Sequence, residues 1–475
     1  MLGKIFNSKT RMIFQLLRKG GARDILVVGG CVRDYLLQQG IGQTNHVEQE
    51  KGNGEETCVP NLLGESGEIR DLDIEVYGLS YRQIADILRT RFHVDLVGQS
   101  FGVLKVGRTK FPKEGASADL EAARAAEAFD RIGIDVSLPR QESKLGVGHK
   151  GFDVVSDPGL SYEEAFARRD FTINAIGLKE DGTFVDPFGG REDLKNGILR
   201  ATSPAFKEDP LRVLRGAQFL SRFGFRSEPT TVGYCREVLP EFPALSGERI
   251  YEEWYKWAVR GNYPSLGLEF LKETGWAGAF PELSAIIGCP QNPEWHPEGD
   301  VWTHTLLVCN EAKKAIFRAQ EEGNSFSEEE QAVLMFAALG HDFGKPGVTK
   351  RDPQGIIRSR GHAAAGVPLM ESFLTRIKAP KRIVEMVKSL VGEHMIITNP
   401  QLHPPTAKIV RRLAARLDPR TFGSGLRSAK ATRLGASRLR QKRKPSGSRR
   451  TSGSRKPGRP RSRTASPSHS SRGGT

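Results

Sequence analysis

Near its start, the chain carries an apolar run over residues 25–28 that ends at Gly29 and Gly30, after which residues 32–37 continue at helical spacing. This order predicts a strand, a tight glycine turn and a helix. Two glycines let backbone amides approach a phosphate closely at the mouth of the helix, although the same pair also suits an ordinary strand-to-helix turn. Arg33 would add positive charge there.

Residues 71–76 alternate strictly between polar and apolar positions, which predicts a strand with one buried face and one acidic face. Asp71 and Asp73 project from the same side of this strand. Residues 132–138 alternate in a similar way, and Asp135 lies within that run. Three carboxylates that converge from adjacent strands can hold two magnesium ions ~3.5–4 Å apart, as in phosphoryl transfer. Taken alone, two aspartates on one strand are more typical of a solvated face.

The rest of the chain is mainly helical in pattern. Residues 210–276 and 301–417 have apolar residues at helical spacing. Two polar stretches without periodicity, near residues 39–69 and 110–130, are interpreted as surface insertions. Such insertions cost little free energy of folding, because the entropy of loop closure changes only slowly with loop length. Beyond about residue 422 the chain is rich in Ser, Gly, Pro, Arg and Lys, and it cannot bury enough apolar surface to order itself.

The net charge of +15 on these 475 residues comes from one end of the chain. Residues 426–475 hold 16 of the 71 Lys and Arg and no acidic residue, which leaves 55 basic against 56 acidic residues elsewhere. Binding of nucleic acid by the rest of the chain must therefore be argued from its motifs and not from bulk charge.

Composition also bears on the compartment. No apolar run reaches the ~20 residues of a membrane-spanning helix. The five cysteines are widely spaced and form no CxxC pair, which argues against a disulfide framework and fits a reducing cytoplasm. The first 20 residues, with five basic and no acidic residues, fit an organellar presequence or, as we favour, a first amphipathic helix. We expect a cytoplasmic protein that is not bound to membranes; its oligomeric state is left open.

Four motifs, GGCVRDYLL, DLDIEVYG, RRDFTINAI and EDPLRVLR, follow one another along the first half of the chain. In this order they resemble the class II branch of the tRNA nucleotidyltransferase and bacterial poly(A) polymerase family, in the polymerase β superfamily. The resemblance implies an α+β fold, in which a polymerase β-like head with a small mixed sheet precedes an all-α neck and body and an all-α HD domain. It implies catalytic, Mg²⁺-binding roles for Asp71, Asp73 and Asp135. It implies nucleotide contacts for Gly29, Gly30, Arg33, Arg168, Arg169, Asp170 and Asn174.

In this family the EDxxR motif, here beginning at Glu208, reads the nucleobase. Asp209 and Arg212 share a helix face, so the carboxylate can accept from the exocyclic amine of cytosine or adenine while the guanidinium donates to ring acceptors. This would favour CTP and ATP without a template, and Arg215 would also reach the nucleotide. The alternative is structural, since Asp before Pro is an ordinary helix start and Asp170 could cap a helix in the same way.

A second set of residues in the last helical segment has metal-ligand chemistry. Its adjacent pair, His341 and Asp342, is followed by Gly344 and Lys345, and this pattern resembles the HD phosphohydrolases, whose divalent metal activates water to attack a phosphate ester. Lys345 would neutralise that phosphate. Any one histidine of the set would also suit a surface or a hydrogen-bonded core position. The set comprises His304, His341, Asp342, His362 and His394.

The predicted function is template-independent addition or repair of the 3′-terminal CCA of tRNA from CTP and ATP, by two-metal phosphoryl transfer. Poly(A) or CC addition remains an alternative within this reaction class. Outside it, the alternatives are an HD phosphohydrolase with a non-catalytic RNA-binding head and a protein that binds RNA through its basic tail.

The expected domains follow the same order. Residues 1–200 would form the nucleotidyltransferase head, and residues 201–298 a helical neck and body for nucleobase selection and RNA binding. Residues 299–420 would form the HD domain. Residues 421–475 are a basic tail that is either an RNA-binding extension or an aberrant reading frame.

Overall fold

The computed structural model describes residues 5–41, 71–95, 102–109, 133–144 and 152–398. The predicted insertion near 110–130, most of the one near 39–69, and the basic tail lie outside these residues. So does the end of the second helical segment, beyond residue 398. No helix among the described residues is long and apolar enough to cross a membrane.

The strands of the first half form a mixed sheet. They are β1 (Asp24–Val28), β2 (Asp71–Tyr77), β3 (Phe92–Asp95), β4 (Val103–Thr109), β5 (Gly133–Ser137), β6 (Arg140–Lys144), β7 (Phe152–Ser156), β8 (Gly177–Leu178) and β9 (Phe184–Val185). Seven of them pair in the order β3-β4-β5-β2-β1-β8-β9, while β6 and β7 pair separately. Within the larger sheet β2 and β5 run parallel, and the other neighbouring strands run antiparallel.

Helices flank this sheet and make up most of the rest of the described chain. In the first half they are α1 (Ser8–Lys19), α2 (Gly30–Gln38), α3 (Tyr81–Arg89), α4 (Tyr162–Phe166) and α5 (Gly190–Asn196). In the middle they are α6 (Leu211–Phe223), α7 (Pro229–Glu237), α8 (Gly247–Arg260), α9 (Pro264–Glu273) and α10 (Pro281–Ile286). The last are α11 (Val301–Glu321), α12 (Glu328–Gly340), α13 (Lys345–Val348), α14 (His362–Arg376) and α15 (Lys381–Thr398). A mixed sheet followed by helices confirms the predicted α+β class.

Local sequence explains where several helices begin. Ser80 and Ser327 each open a helix with a capping box, in which the serine hydroxyl accepts from a backbone N–H and a Gln or Glu three residues on reaches back. Asp300 caps α11, its Oδ1 accepting from Thr303 N at 2.9 Å. α1 buries Ile13 and other apolar residues in the main core, as the amphipathic-helix interpretation of this segment expects.

Aromatic side chains join the middle helices to the last ones. Trp254 on α8 lies edge-on to Phe280 and to Phe373 of α14, with ring centroids 5.4 Å apart in both pairs. Edge-to-face packing of buried rings contributes about 0.5–1.5 kcal/mol per pair beyond the burial of area. Both helical segments therefore share one apolar core.

The structure corrects three details of the sequence interpretation. The first helical segment is interrupted by β11 (Arg226–Ser227), which pairs with β10 (Ile198–Leu199) just before the segment, and the second by the pair of β12 (Lys350–Arg351) and β13 (Ile357–Arg358). Asp170 precedes only a short 3₁₀ turn, Thr172–Asn174, and not an α-helix. On β2 the third acidic residue, Glu75, is buried.

Candidate active site and histidine centre

The glycine turn lies directly against the acidic strand. Gly29 has φ +80°, in the left-handed region that glycine tolerates, and no side chain of the described residues caps the start of α2. A Cβ at Gly29 would lie 3.5 Å from Asp73 Oδ2 and 3.4 Å from Arg169 Nη1. Gly29 N donates to the Ile176 carbonyl at 3.4 Å, and Val32 N and Arg33 N donate to the Gly29 carbonyl at 3.1 and 3.3 Å. The amides of Gly30 and Cys31 are therefore the ones that could bind an anion next to the carboxylates.

Register brings two of the three predicted catalytic residues side by side. In the parallel pair of β2 and β5, Asp73 lies opposite Asp135, whereas Asp71 lies opposite Gly133. Asp71 and Asp73 both have solvent-accessible side chains, although neighbouring protein atoms exclude part of the water around the Asp73 carboxylate. Among the described residues, however, the carboxylate oxygens of Asp71, Asp73 and Asp135 do not all lie within 4.8 Å of one another.

The charge of Asp73 is shaped by its neighbours. Partial burial raises the pKa of Asp73, and the Asp135 and Asp71 carboxylates raise it further, while the Arg169 guanidinium lowers it. Arg169 Nη2 also pairs with Glu75 Oε2 at 3.1 Å. One arginine thus contacts two carboxylates of β2, and Glu75, which the alternation places on the acidic face with Asp71 and Asp73, joins the site through Arg169.

A hydrogen-bonded chain links the predicted nucleotide-binding residues. Arg33 Nη1 donates to Asn174 Oδ1 at 2.6 Å, and Asn174 Nδ2 donates to Asp170 Oδ1 at 2.9 Å. Arg215 Nε and Nη2 both donate to Asp170 Oδ2, at 2.9 and 2.7 Å. Arg33 is buried and also pairs with Asp34. The chain connects α2, the 3₁₀ turn and α6, so it fixes the glycine turn relative to the helix of the EDxxR motif.

The base-reading candidates make other contacts in this structure. Asp209 Oδ1 accepts from Leu211 N at 3.2 Å, as at an ordinary helix start, and its Oδ2 pairs with Arg249 Nη2 at 2.7 Å. Arg212 donates to the backbone carbonyls of Ala205 and Arg168, each at 2.7 Å. Arg249 lies forty residues from Asp209, in the segment GERIYEEW, and no local spacing relates it to Asp209.

Arg168 contacts the same motif. Its Nη2 pairs with the carboxylate of Glu208, the first residue of EDxxR. The two predicted arginines of the RRDFTINAI motif therefore have different partners, Arg169 on the acidic strand and Arg168 in the 3₁₀ turn Pro204–Glu208 that precedes α6.

The predicted HD residues all meet at one carboxylate. The Nε2 atoms of four histidines lie around Asp342, which is buried. Their distances to an Asp342 oxygen are 3.1 Å for His341, 3.3 Å for His362, 3.7 Å for His304 and 4.0 Å for His394. The donor atoms form two groups that share Asp342, one with His304 and His341 and one with His362 and His394, and within each group they lie within 4.8 Å of one another, close enough to bind a metal ion.

The protons of these rings are placed by their other nitrogens. Nδ1 of His341, His362 and His394 lies 2.8, 2.7 and 2.6 Å from the backbone carbonyl three residues earlier. A carbonyl only accepts, so each Nδ1 carries a proton and each neutral ring presents a lone pair at Nε2. His362 Nε2 and His394 Nε2 lie 3.1 Å apart. Two lone pairs at this distance, beside a carboxylate, call for a cation or a proton between them.

Burial favours the neutral form of three of the rings, while neighbouring groups keep Asp342 charged. Burial lowers the pKa of His304, of His362 and of His394, the last to about 4. Burial alone would raise the pKa of Asp342, but His341 and Lys345 hold it well below its usual range. Neutral imidazoles with an ionised carboxylate are the protonation states that bind a divalent metal.

Residues before α11 complete this centre, and the sequence analysis did not identify them. Lys345 Nζ lies 2.7 Å from Asp342 Oδ2 and donates to Gln291 Oε1 at 2.5 Å. His304 Nδ1 lies 2.7 Å from Glu298 Oε1. Gln291 and Glu298 lie in an irregular loop, so neither helical nor strand spacing relates them to the histidines.

Comparison with known proteins agrees with this architecture. Residues 25–200 match the family described as the poly(A) polymerase head domain. The multifunctional CCA protein of Hahella chejuensis is 40% identical over 256 residues, which are 53% of this chain and 57% of that protein. That of Nitrosococcus oceani is 36% identical over 310 residues, 64% of this chain and 72% of that protein.

Solved structures show the same fold. The CCA-adding enzyme of Bacillus stearothermophilus in complex with CTP is 22% identical, with a TM-score of 0.54, over 91% of this chain and 81% of that chain. The chain spans 57% and 66% of the length of the multifunctional CCA proteins of Hahella chejuensis and Vibrio vulnificus, less than two thirds of either.

Proposed function

Because the chain belongs to the family of the multifunctional CCA proteins, we propose that it adds or repairs the 3′-terminal CCA of tRNA, using CTP and ATP without a template. The observation that carries this proposal is the juxtaposition of the Gly29 turn with Asp73, which itself lies opposite Asp135. An anion-binding helix mouth beside paired carboxylates is what transfer of a nucleotidyl group requires.

Nucleotidyltransferases of this family use divalent metal ions, and we propose Mg²⁺ held by Asp71, Asp73 and Asp135. When bound, Mg²⁺ supplies positive charge to the attacking 3′-hydroxyl and to the leaving pyrophosphate. The chain's own residues position the reactants. The amides after Gly29 bind the triphosphate, and Arg169 offsets the negative charge of β2.

Base selection is proposed for Asp209 and Arg212, and we add Arg249 to this group. Arg249 holds the Asp209 carboxylate, and its buried Nη1 has no partner among the described residues. A buried donor without an acceptor is costly, so it suits a site whose acceptor arrives with the nucleotide. The Asp209 oxygen that now accepts from Arg249 would accept the exocyclic amine of cytosine or adenine.

The proposed division of labour follows the chain. Residues 1–200 would carry out catalysis, residues 201–298 would select the base and bind RNA, and residues 299–420 would form the histidine-centred domain. The family match over residues 25–200 supports the first of these. The basic segment over residues 421–475 would add non-specific affinity for the RNA backbone.

The test is extension of three tRNAs, ending before CCA, at C and at CC, with each NTP alone and with both CTP and ATP. Addition that stops after CCA supports the proposal, whereas stopping at CC or running on with A selects a CC-adding enzyme or a poly(A) polymerase. Asp71→Ala should abolish addition while the protein stays folded. The matched control is Asp86→Ala, which removes an exposed carboxylate on α3. Near-normal addition by Asp71→Ala would contradict the metal assignment.

A second activity, metal-dependent hydrolysis of phosphate esters, is favoured by the lone pairs of four histidines around Asp342. When bound, the metal would activate water, while Lys345 would balance the charge of the phosphate. Hydrolysis of cyclic and terminal phosphates should disappear in His341→Ala and persist in the exposed-histidine control His93→Ala. Hydrolysis without any nucleotide addition by the same preparation would instead favour the phosphohydrolase alternative with a non-catalytic head.

A further inference from the structure

Three of the four histidines of the centre are oriented by the backbone, and one is not. His341, His362 and His394 donate Nδ1–H to a carbonyl one turn earlier in the chain. For His304 the partner is Oε1 of Glu298, at 2.7 Å, a side chain from the loop before α11. The proton position of His304 therefore depends on a residue that can be replaced.

Among the described residues, the ring of His304 makes no hydrogen bond to a carbonyl one turn earlier, and its Nδ1 lies against Glu298 instead. Three residues earlier the carbonyl of Val301 already accepts from the Thr305 hydroxyl at 2.8 Å. The His304 backbone N–H bonds the carbonyl of Asp300, the capping residue, at 3.1 Å. The imidazole is thus free to turn towards the loop, where the Glu298 side chain is 8% exposed.

From these contacts we infer that Glu298 is a positioning residue, which holds His304 with Nδ1 protonated and Nε2 directed at Asp342 as a metal ligand. The inference rests on the metal site proposed above. A carboxylate behind a ligating imidazole fixes its tautomer and raises its basicity, and loss of such a partner typically lowers metal affinity about 10–100-fold.

A neighbouring histidine supports this role. His296 Nδ1 lies 2.9 Å from the same Glu298 oxygen, and the rings of His296 and His304 lie nearly perpendicular with centroids 4.6 Å apart. His296 therefore orients the carboxylate as the carboxylate orients His304. Glu298 Oε2 is buried and has no partner among the described residues, so the contacts of this carboxylate with both histidines are made through Oε1.

The experiment compares the wild-type protein with Glu298→Gln and Glu298→Leu, and Glu294→Leu is the matched control from the exposed part of the same loop. The first readout is long-range ¹H–¹⁵N NMR of ¹⁵N-histidine-labelled, chelator-treated protein. We expect His304 to be protonated at Nδ1 in the wild type and in Glu298→Gln, whose amide oxygen still accepts, but to become a tautomer mixture in Glu298→Leu.

The second readout is titration with Co²⁺, followed by the visible absorption of the bound ion. The part of this absorption that disappears in His341→Ala comes from the histidine centre and is called the histidine component. We expect affinity to fall about 10–100-fold in Glu298→Leu and by less in Glu298→Gln, with Glu294→Leu unchanged. The inference is overturned if His304 stays protonated at Nδ1 in folded Glu298→Leu. It is also overturned if the histidine component of the Co²⁺ absorption keeps its wild-type affinity in that variant. Absence of that component from the wild type would overturn the proposed metal site instead, and the NMR result would still decide the role of Glu298.

Discussion

Replacing Asp170 by Asn should destabilise the protein strongly, because this buried carboxylate carries four hydrogen bonds. Oδ1 accepts from Phe171 N at 2.8 Å and from Asn174 Nδ2, and Oδ2 accepts twice from Arg215. An amide can keep the Oδ1 contacts, but it then turns an NH₂ group towards the guanidinium. Two charge-assisted bonds are lost because the amide NH₂ faces the guanidinium, and the remaining ion pair of Arg215 among the described residues is with the more distant Glu253, at 3.7 Å.

The size of the loss can be worked out in two ways. Burial alone would raise the pKa of Asp170, but Arg215 and Asn174 hold it at about 2, against an ordinary value of 3.8. At ~1.36 kcal/mol per pKa unit, the difference corresponds to about 2.4 kcal/mol. Removing one partner of a buried ion pair costs about 3–5 kcal/mol in general. We therefore expect Asp170→Asn to lose about 2–4 kcal/mol of unfolding free energy at pH 7.

The same contribution predicts an acid dependence. The folded-state pKa lies below the unfolded one, so the stabilisation is complete above about pH 4 and is lost as the pH falls towards 2. About 1.1 kcal/mol of it should be gone by pH 3. The gap between wild type and Asp170→Asn should therefore narrow between pH 6 and pH 3.

The assay is urea unfolding followed by tryptophan fluorescence at pH 7, 5, 4 and 3. Asp352→Asn, which breaks an exposed pair with Arg358, is the control and should change stability little. A loss in Asp170→Asn no larger than in the control, or a gap that stays constant down to pH 3, would refute the role given to Asp170.

Three further changes test other contacts. Gly29→Ala, at φ +80°, should cost about 1–3 kcal/mol of stability and raise KM for CTP, and an unchanged KM would remove the turn from the nucleotide site. Arg249→Met should increase UTP incorporation relative to CTP in single-turnover extension by releasing Asp209; unaltered selectivity would argue against that coupling. Lys313 is buried with its Nζ 2.7 Å from the Val259 carbonyl, and burial lowers its pKa to about 8. Because neutral lysine is favoured in the folded state, the wild type should gain about 2.5 kcal/mol relative to Lys313→Met between pH 7 and pH 10 in urea unfolding, and a constant difference would contradict this.

The local sequence pattern was sufficient to predict those elements whose conformation is determined by residues close together in sequence. The strand, glycine turn and helix over residues 24–38 follow from an apolar run, two glycines and helical spacing. The histidines were identified by residue type and order alone. The β12–β13 hairpin was missed although it has a turn signal, since Asp352 accepts from Ile356 N at 2.8 Å and Gly355 has φ +81°.

Contacts between distant residues could not be predicted in this way. Arg249 reaches Asp209 across forty residues and two intervening helices, and its own helix gives no reason to choose that partner. Glu298 reaches His304 from an irregular loop, where side-chain direction follows from packing and not from a repeat. The register between strands also could not be predicted, because the residue of β5 that faces Asp73 depends on how the sheet assembles.

The two candidate metal sites differ in how their donors are held. Around Asp342 the backbone fixes three imidazoles and Glu298 fixes the fourth, so the ligand geometry is set by the fold itself. On β2 and β5 the candidate ligands are like-charged carboxylates. Burial raises the pKa of Asp73 and the Asp135 and Asp71 carboxylates raise it further, while Arg169, which pairs with Glu75, lowers it. Mg²⁺ is usually bound by one or two carboxylates together with substrate phosphates. The strand site should therefore bind its metal together with the nucleotide, because the triphosphate supplies the missing ligands, whereas the histidine centre should bind its metal without substrate.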